Sequence, residues 1–231
     1  MVLNANAGSG MTRRLGIFGG SFNPVHQGHL VMAECCREQA GLDRVLFVPA
    51  ATPPHKRAAD LAPCDVRLEM LRLAVGGHPD FDVLADECER GGTSFTIDTV
   101  RDLRQRFPAD DFRLILGVDA LASLPTWRQP RELLELVRPL ILVRQGVDDL
   151  NAILAEATLR QLFATAQVER LRADRVQVPA IDIRASQLRE AVAAGRSIRF
   201  RTPRAVECLI HSRGLYRNGV RPAATAEPAA G

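Results

Sequence analysis

The sequence predicts an α/β fold: a mostly parallel sheet sandwiched by helices, with a small C-terminal helical extension. Three observations carry that reading. Short unbroken apolar runs recur along most of the chain, amphipathic helical patterns separate them, and beyond the last run only helical patterns remain. The 231 residues, 46% of them hydrophobic, supply one well-packed core, and two independent domains would be crowded.

Residues 1–12 mix Gly, Ser, Asn and Ala without a sustained period and read as a flexible N-terminus, with Met11 a second candidate start. The single domain is placed at 13–217. Its strands are Leu15–Phe18, Val45–Val48, Phe81–Leu84, Phe112–Leu116 and Leu140–Val143, apolar runs that suit strands covered on both faces. Helical patterns fall between them at about 27–40, 65–75, 96–107 and 130–137, with right-handed crossovers expected. A helix at about 148–162 leads to a strand at Val176–Val178. Helices at about 186–194 and 203–212 then form a helical part spanning about 184–217, with Pro203 starting the last helix and Gly214 stopping it. Residues 218–231, rich in Ala, Pro and Gly, read as a flexible tail. Ligands of such a sheet collect beyond the carboxyl ends of the strands, which singles out the loops after Phe18, Val48, Leu84 and Leu116.

The formal charge of +3 accords with an anionic substrate and is too small to indicate nucleic acid. Lys56 is the one lysine among 30 basic residues. Neither end carries an apolar stretch of membrane-spanning length, and Met1–Gly10 lacks the basic start and apolar run of a secretion signal, so a cytoplasmic protein without a membrane partner is expected. The five cysteines contain no C-x-x-C pair, and the expectation is reduced, structural thiols with neither a disulfide framework nor a zinc site. A homo-oligomer is left open.

The densest signal is Gly19-Gly20-Ser21-Phe22-Asn23-Pro24-Val25-His26-Gln27-Gly28-His29, directly after the first strand and opening the first helix. Glycines let the backbone approach a ligand, free amides at a helix start favour an anion, and histidines three apart reach the same side. The spacing is neither a P-loop nor a dinucleotide fingerprint. From spacing alone, a phosphate cradle, a surface pair and a metal pair all stand, although no H-E-x-x-H signature or third ligand supports the metal.

The segment closely resembles the G-x-F-x-P-x-H-x-G-H signature of the bacterial nicotinate mononucleotide adenylyltransferase family, and His26-Gln27-Gly28-His29 its superfamily's H-x-G-H core. The resemblance runs through matching blocks across roughly residues 14–217. It implies a Rossmann-like fold, ATP as co-substrate lying over Gly19, Gly20, Ser21, Phe22 and Gly28, and histidines that bind the triphosphate and stabilise the transferring phosphoryl group. It also implies Mg2+ held mainly by ATP phosphates and water, with no protein metal site.

Pro53-Pro54-His55-Lys56 is a stiff segment after the second strand, where Lys56 reads as solvated surface or as a mobile charge for a phosphate. The resemblance, to a P-P-H-K element, puts it near the mononucleotide and phosphates. Ser94-Phe95-Thr96 precedes a helix that Thr96 can cap; the family's S-Y-T block lines a nicotinate pocket largely through backbone amides. Phe95 replaces the family's tyrosine, so any hydroxyl contact is lost. Gly117-Val118-Asp119 leaves the fourth strand with Asp119 either capping a helix or, as in the family's G-x-D, accepting from nucleotide sugar hydroxyls. Trp127, the single tryptophan, reads as core; the family's P-T-W element stacks it on the pyridine ring.

Ile183-Arg184-Ala185-Ser186-Gln187-Leu188-Arg189 precedes a helical pattern with Ser186 as its expected cap. It resembles the family's I-S-S-T-x-I-R phosphate-binding motif, with Arg184 and Ala185 replacing two serines, which shifts the burden to Ser186, Arg189 and the backbone. Gln145 stands where the family often has proline. The resemblance implies transfer of AMP from ATP to nicotinate mononucleotide, with His26, His29, Lys56 and Arg189 as the catalytic cations and donors. The other readings are another superfamily member, acting for example on phosphopantetheine, and a nucleotide-binding regulator that has lost catalysis.

Overall fold

The structure, a computed structural model, describes residues 12–54, 58–146 and 149–217. Six parallel strands form one sheet: β1 (Arg14–Gly20), β2 (Arg44–Pro49), β3 (Phe81–Val83), β4 (Asp111–Gly117), β5 (Arg138–Arg144) and β6 (Val176–Val178). Their order is β3-β2-β1-β4-β5-β6, so the chain winds outward in both directions from the β1–β4 pair. Each expected strand is present, and the two edge strands are three residues long, which leaves little unpaired edge.

Alternation along the strands divides the core in two. Leu15, Ile17, Leu46, Val48, Phe112, Leu114 and Ile141 face one layer, where helices α4 (Thr96–Arg106), α5 (Val118–Ser123), α6 (Pro130–Leu136), α7 (Leu150–Leu154), α8 (Ala157–Leu162) and α9 (Thr165–Ala173) supply the partners. Val45, Phe47, Ile115, Leu140 and Leu142 face the other, against α1 (Gln27–Gln39), α2 (Cys64–Val75), α10 (Ala185–Ala193) and α11 (Arg204–Ser212). Gly16 breaks the apolar run of β1 for a packing reason: a Cβ there would lie 2.7 Å from a methyl of Leu42 and 3.0 Å from one of Ile115.

Several expectations need correction. The 148–162 helix is two helices, because the Asp149 carboxylate accepts from the Asn151 and Ala152 amides, starting α7 at Leu150, and the chain turns again at Ala155–Glu156. The short α3 (Asp86–Arg90), together with α5 and α9, had not been expected; α3 and α5 span too few residues to show a period. Thr96 is not the cap of α4: the Phe95 carbonyl already accepts from Asp98, so Phe95 is the cap. Ser186 likewise lies inside α10, whose cap is Arg184, held by its own N–H donating to the Gln187 side chain at 3.2 Å. Cys64 and Cys88 are paired in a disulfide, Cα atoms 5.6 Å apart, against the expectation of reduced thiols. Their closeness comes from the packing of α2 beside α3, which no sequence spacing reveals. Cys35, Cys36 and Cys208 are free.

The C-terminal part packs back onto the same body. Helix α11 lies against α2, with an Arg213–Glu69 ion pair of 2.6 Å, and starts after Pro203 as expected. Gly214, at φ 60°, ends it by letting Leu215 N–H reach the Ile210 carbonyl. Among the described residues no helix is long and apolar enough to cross a membrane.

Candidate active site

The carboxyl ends of β1 and β4 diverge at the point where the winding reverses, and the residues of the long glycine-rich segment lie there. Gly19 and Gly20 end β1, and Gly117 ends β4 and caps α5. The Gly20 carbonyl accepts from Ala50, tying this loop to the one after β2. Phe22 is buried at φ 44° with its ring edge-on to His29, centroids 5.0 Å apart, and a Cβ on Gly20 would lie 3.1 Å from that ring. Asn23, 1% exposed, precedes a cis Pro24.

The two imidazoles are stacked, centroids 3.7 Å apart and planes at 24°. His26 caps α1; its N–H donates to His29 Nδ1 at 3.2 Å, and its carbonyl accepts from the His29 amide at 2.9 Å. Because His29 Nδ1 accepts, its proton sits on Nε2, which makes that nitrogen a donor. Burial lowers the His26 pKa to about 4, and burial together with the neighbouring His26 holds His29 well below its ordinary value. Both rings are therefore neutral at pH 7 in the free protein.

Gly28 makes this packing sterically feasible. A Cβ on it would come within 3.1 Å of His26 Nδ1 and 3.2 Å of Cε1, so the ring rests directly on the glycine backbone. Its Nδ1 is buried with no hydrogen-bond partner among the described residues. Gln27 N–H is taken by the Arg201 carbonyl and His29 N–H by His26, so the orphaned ring nitrogen stands beside the Gly28 amide, a donor set that fits a phosphate oxygen.

Arg189, on α10, reaches back to the same loop and donates to the Asn23 carbonyl at 2.8 Å. It lies past the first turn of α10, further from the helix start than expected. Asn23 itself is a junction that sequence reasoning missed. Its Oδ1 accepts from the Ala62 amide and the Tyr216 hydroxyl, and its Nδ2 donates to the Asp60 carbonyl. Ser186 is exposed near the start of α10, and Arg184 pairs with Asp182 at 3.4 Å on the surface.

Across the loop after β2, Thr52 bridges Thr93 in parallel, the Thr52 carbonyl accepts from Ser94 N–H at 2.9 Å, and Ser94 Oγ accepts from Ala51 N–H at 2.8 Å. Ser94 is thus occupied by scaffold through both its amide and its hydroxyl. The donors left to a ligand are the Thr96 and Ile97 amides at the start of α4, the Asp98 amide being held by the Phe95 carbonyl. Phe95 packs on the core with the Arg128 guanidinium 4.8 Å over its ring. Trp127 is partly buried, its indole N–H donating to Ser123 Oγ at 3.1 Å.

Asp119 stands in the first turn of α5, 92% exposed, 3.9 Å from Arg144. Lys56 lies outside the described residues. Among those described, no group of three or more His, Cys, Asp or Glu side chains is arranged around a metal position. The other site residues predicted from the sequence lie on the signature segment 19–29, the stretches 94–96 and 117–127, and α10, while Gln145 follows β5.

Comparison with known proteins accords with this geometry. The family described as cytidylyltransferase-like matches residues 17–191. A Thermomicrobium roseum protein described as "Probable nicotinate-nucleotide adenylyltransferase" is 41% identical over 204 residues, 88% of this chain and 92% of its own. A Syntrophotalea carbinolica protein of the same description is 40% identical over 216 residues, 90% and 99% of the two chains. The solved structure of Plasmodium falciparum nicotinic acid mononucleotide adenylyltransferase complexed with NaAD shares the fold, with TM-score 0.67 at 16% identity over 88% of this chain and 97% of that one. The chain belongs to the cytidylyltransferase-like family and, within it, to the nicotinate-nucleotide adenylyltransferases.

Proposed function

We propose that this protein transfers the adenylyl group of ATP to nicotinate mononucleotide, releasing pyrophosphate and forming nicotinate adenine dinucleotide. The observation that carries the reading is the stacked, neutral histidine pair on a glycine at the β1–β4 reversal, with its orphaned buried nitrogen, in a chain of this family. An oxygen of the 5'-phosphate attacks the α-phosphorus of ATP, and the bond from that phosphorus to the bridging oxygen breaks, leaving pyrophosphate. The attacking phosphate is anionic at neutral pH, so no general base is needed.

The demand on the protein is to bring two polyanions together and hold them in line. His29 Nε2 donates to the triphosphate, and an approaching phosphate raises both imidazole pKa values, so the pair takes up positive charge as ligand binds. Arg189 and the α1 and α10 amides extend the field, and Lys56 supplies the remaining mobile cation on the family resemblance. The donor set is one for anions, so Mg2+ would arrive on the phosphates with waters in its shell and neutralise charge on the leaving pyrophosphate. On the acceptor side, the first-turn amides of α4 receive the pyridine carboxylate and Trp127 stacks on the ring.

The test is a panel of nicotinate mononucleotide, nicotinamide mononucleotide and phosphopantetheine, each with ATP and Mg2+, read as pyrophosphate release. The expected result is release that is fastest with the nicotinate form. Folded, nucleotide-binding protein that releases none would favour a regulator, and release with phosphopantetheine alone would reassign the acceptor.

A further inference from the structure

We infer that Arg67 is a positioning residue that sets the register between the ATP side and the acceptor side of the site. Arg67 is on α2, 0% exposed, with all three guanidinium nitrogens hydrogen-bonded. Its Nε donates to the Ala62 carbonyl at 2.9 Å, one terminal nitrogen to Ser21 at 2.9 Å and Ala50 at 2.6 Å, and the other to Ala51 at 2.8 Å. These partners are all main-chain oxygens, and among the described residues no carboxylate forms an ion pair with this buried cation. A buried charge without an ion partner is costly, and side-chain packing alone gives no reason to keep it in an apolar helix face.

What the guanidinium does is join three pieces of main chain through one side chain. Ser21 belongs to the signature loop, two residues from Asn23, whose carbonyl Arg189 holds. Ala50 and Ala51 open the loop after β2. From there the path to the acceptor side is short: Ala51 N–H donates to Ser94 Oγ, Ser94 N–H donates to Thr52, and Ser94 leads directly into Phe95 and the open amides of α4. Ala62 is the third piece, and its own amide donates to Asn23 Oδ1, closing a ring back to the signature loop. The planar fork satisfies four carbonyls in different directions at once, which a lysine ammonium on a single point cannot reproduce. Two of the four bonds, to Ala50 and Ala51, lie on the acceptor side, while the signature loop keeps its other anchors at Asn23 and Gly20. Loss of the fork therefore misplaces the acceptor more than ATP.

The inference rests on the acceptor site proposed above. Its test is Arg67→Lys, which keeps the charge, with steady-state kinetics in both substrates and binding of a non-hydrolysable ATP analogue. The expected result is a KM for nicotinate mononucleotide raised about 10-fold with a lower kcat, and analogue affinity changed by less than about 3-fold. Combining it with Ser94→Ala should give a non-additive effect on that KM, because both act on one path. Folded Arg67→Lys protein with KM and kcat within twofold of wild type, or an additive cycle, overturns the role. Should Arg67→Lys fail to fold, 15N-arginine-labelled wild type provides the readout: nicotinate mononucleotide should shift the Nε–H signal of the buried Arg67, and an unmoved signal overturns the inference. Wild type that never uses nicotinate mononucleotide overturns the proposed function and this inference with it, a result seen before any variant is made.

Discussion

The histidine side of the site is built within one short stretch, Gly19 to His29, whereas the acceptor side is assembled from Ala51, Thr52, Ser94 and Trp127 on separate loops. On the first, neighbours in sequence are neighbours in space: His26 and His29 stack, and Gly28 between them is where the ring rests. On the second, Ala51, Thr52 and Ser94 are placed by hydrogen bonds between the loops after β2 and β3, and Ser94 spends its hydrogen-bonding capacity on the scaffold. The difference separates kinds of work. Charge stabilisation is concentrated in a rigid local motif, and acceptor recognition depends on long-range registration.

The largest expected effect comes from breaking the local side. His29→Ala removes the Nε2 donor while leaving Phe22 and the sheet to hold the loop, and adenylyl transfer should fall on the order of 100- to 1000-fold. Kinetics on protein with an unchanged circular dichroism spectrum checks it. Near-wild-type turnover would make His29 a structural residue.

The same motif should make the free protein acid-labile. His26 has a folded pKa of about 4 against 6.5 for the free side chain, so its contribution is fully present above pH 6.5 and lost as pH falls toward 4. The drop corresponds to roughly 3 kcal/mol, of which about 2 is gone by pH 5. Urea unfolding at pH 7.5 and pH 5 should show wild type losing more stability than His26→Gln by about that margin. Bound triphosphate should reduce the loss, since an anion raises the same pKa. Parallel pH profiles for the two proteins would contradict the buried neutral ring.

On the acceptor side, nicotinate mononucleotide should exceed the nicotinamide form in kcat/KM by about 10- to 100-fold. A carboxylate accepts from the α4 amides, whereas a carboxamide presents an NH2 that cannot accept in the same arrangement. Equal values under saturating ATP and Mg2+ would remove the amides from the recognition scheme.

What the sequence revealed follows the same division. The six strands were legible because runs such as Leu114–Leu116 are apolar on both faces, and the phosphate loop because its parts are contiguous. The caps of α4 and α10 were misplaced by one and two residues, since Phe95 and Arg184 cap through backbone geometry and not through a side-chain oxygen. The Cys64–Cys88 pair, the junction at Asn23 and the buried fork of Arg67 had no local signal: each exists only because distant segments meet. Arg67 falls inside the helical pattern at about 65–75 with no motif around it, and its burial and four main-chain bonds are what mark it out.

Trp127 sharpens the comparison most finely, because two roles compete for it. Its ring packs partly on the core, and its indole N–H is held by Ser123, so it is preset in orientation whether or not a ligand is present. Stacking on an aromatic ring is worth about 0.5–1.5 kcal/mol, which predicts a KM rise of only about 2- to 12-fold in Trp127→Ala. A stacking face cannot tell a carboxylate from a carboxamide, so the rise should be equal for the nicotinate and nicotinamide forms and their ratio should stay at the wild-type value. Trp127→Phe keeps a ring but loses the tether to Ser123, and should fall between wild type and alanine. If Trp127 serves the core alone, the alanine variant will lose thermal stability while both KM values hold. If instead the acid-to-amide ratio collapses with the tryptophan, the ring is placing the carboxylate on the α4 amides, and recognition on that side is a single coupled unit.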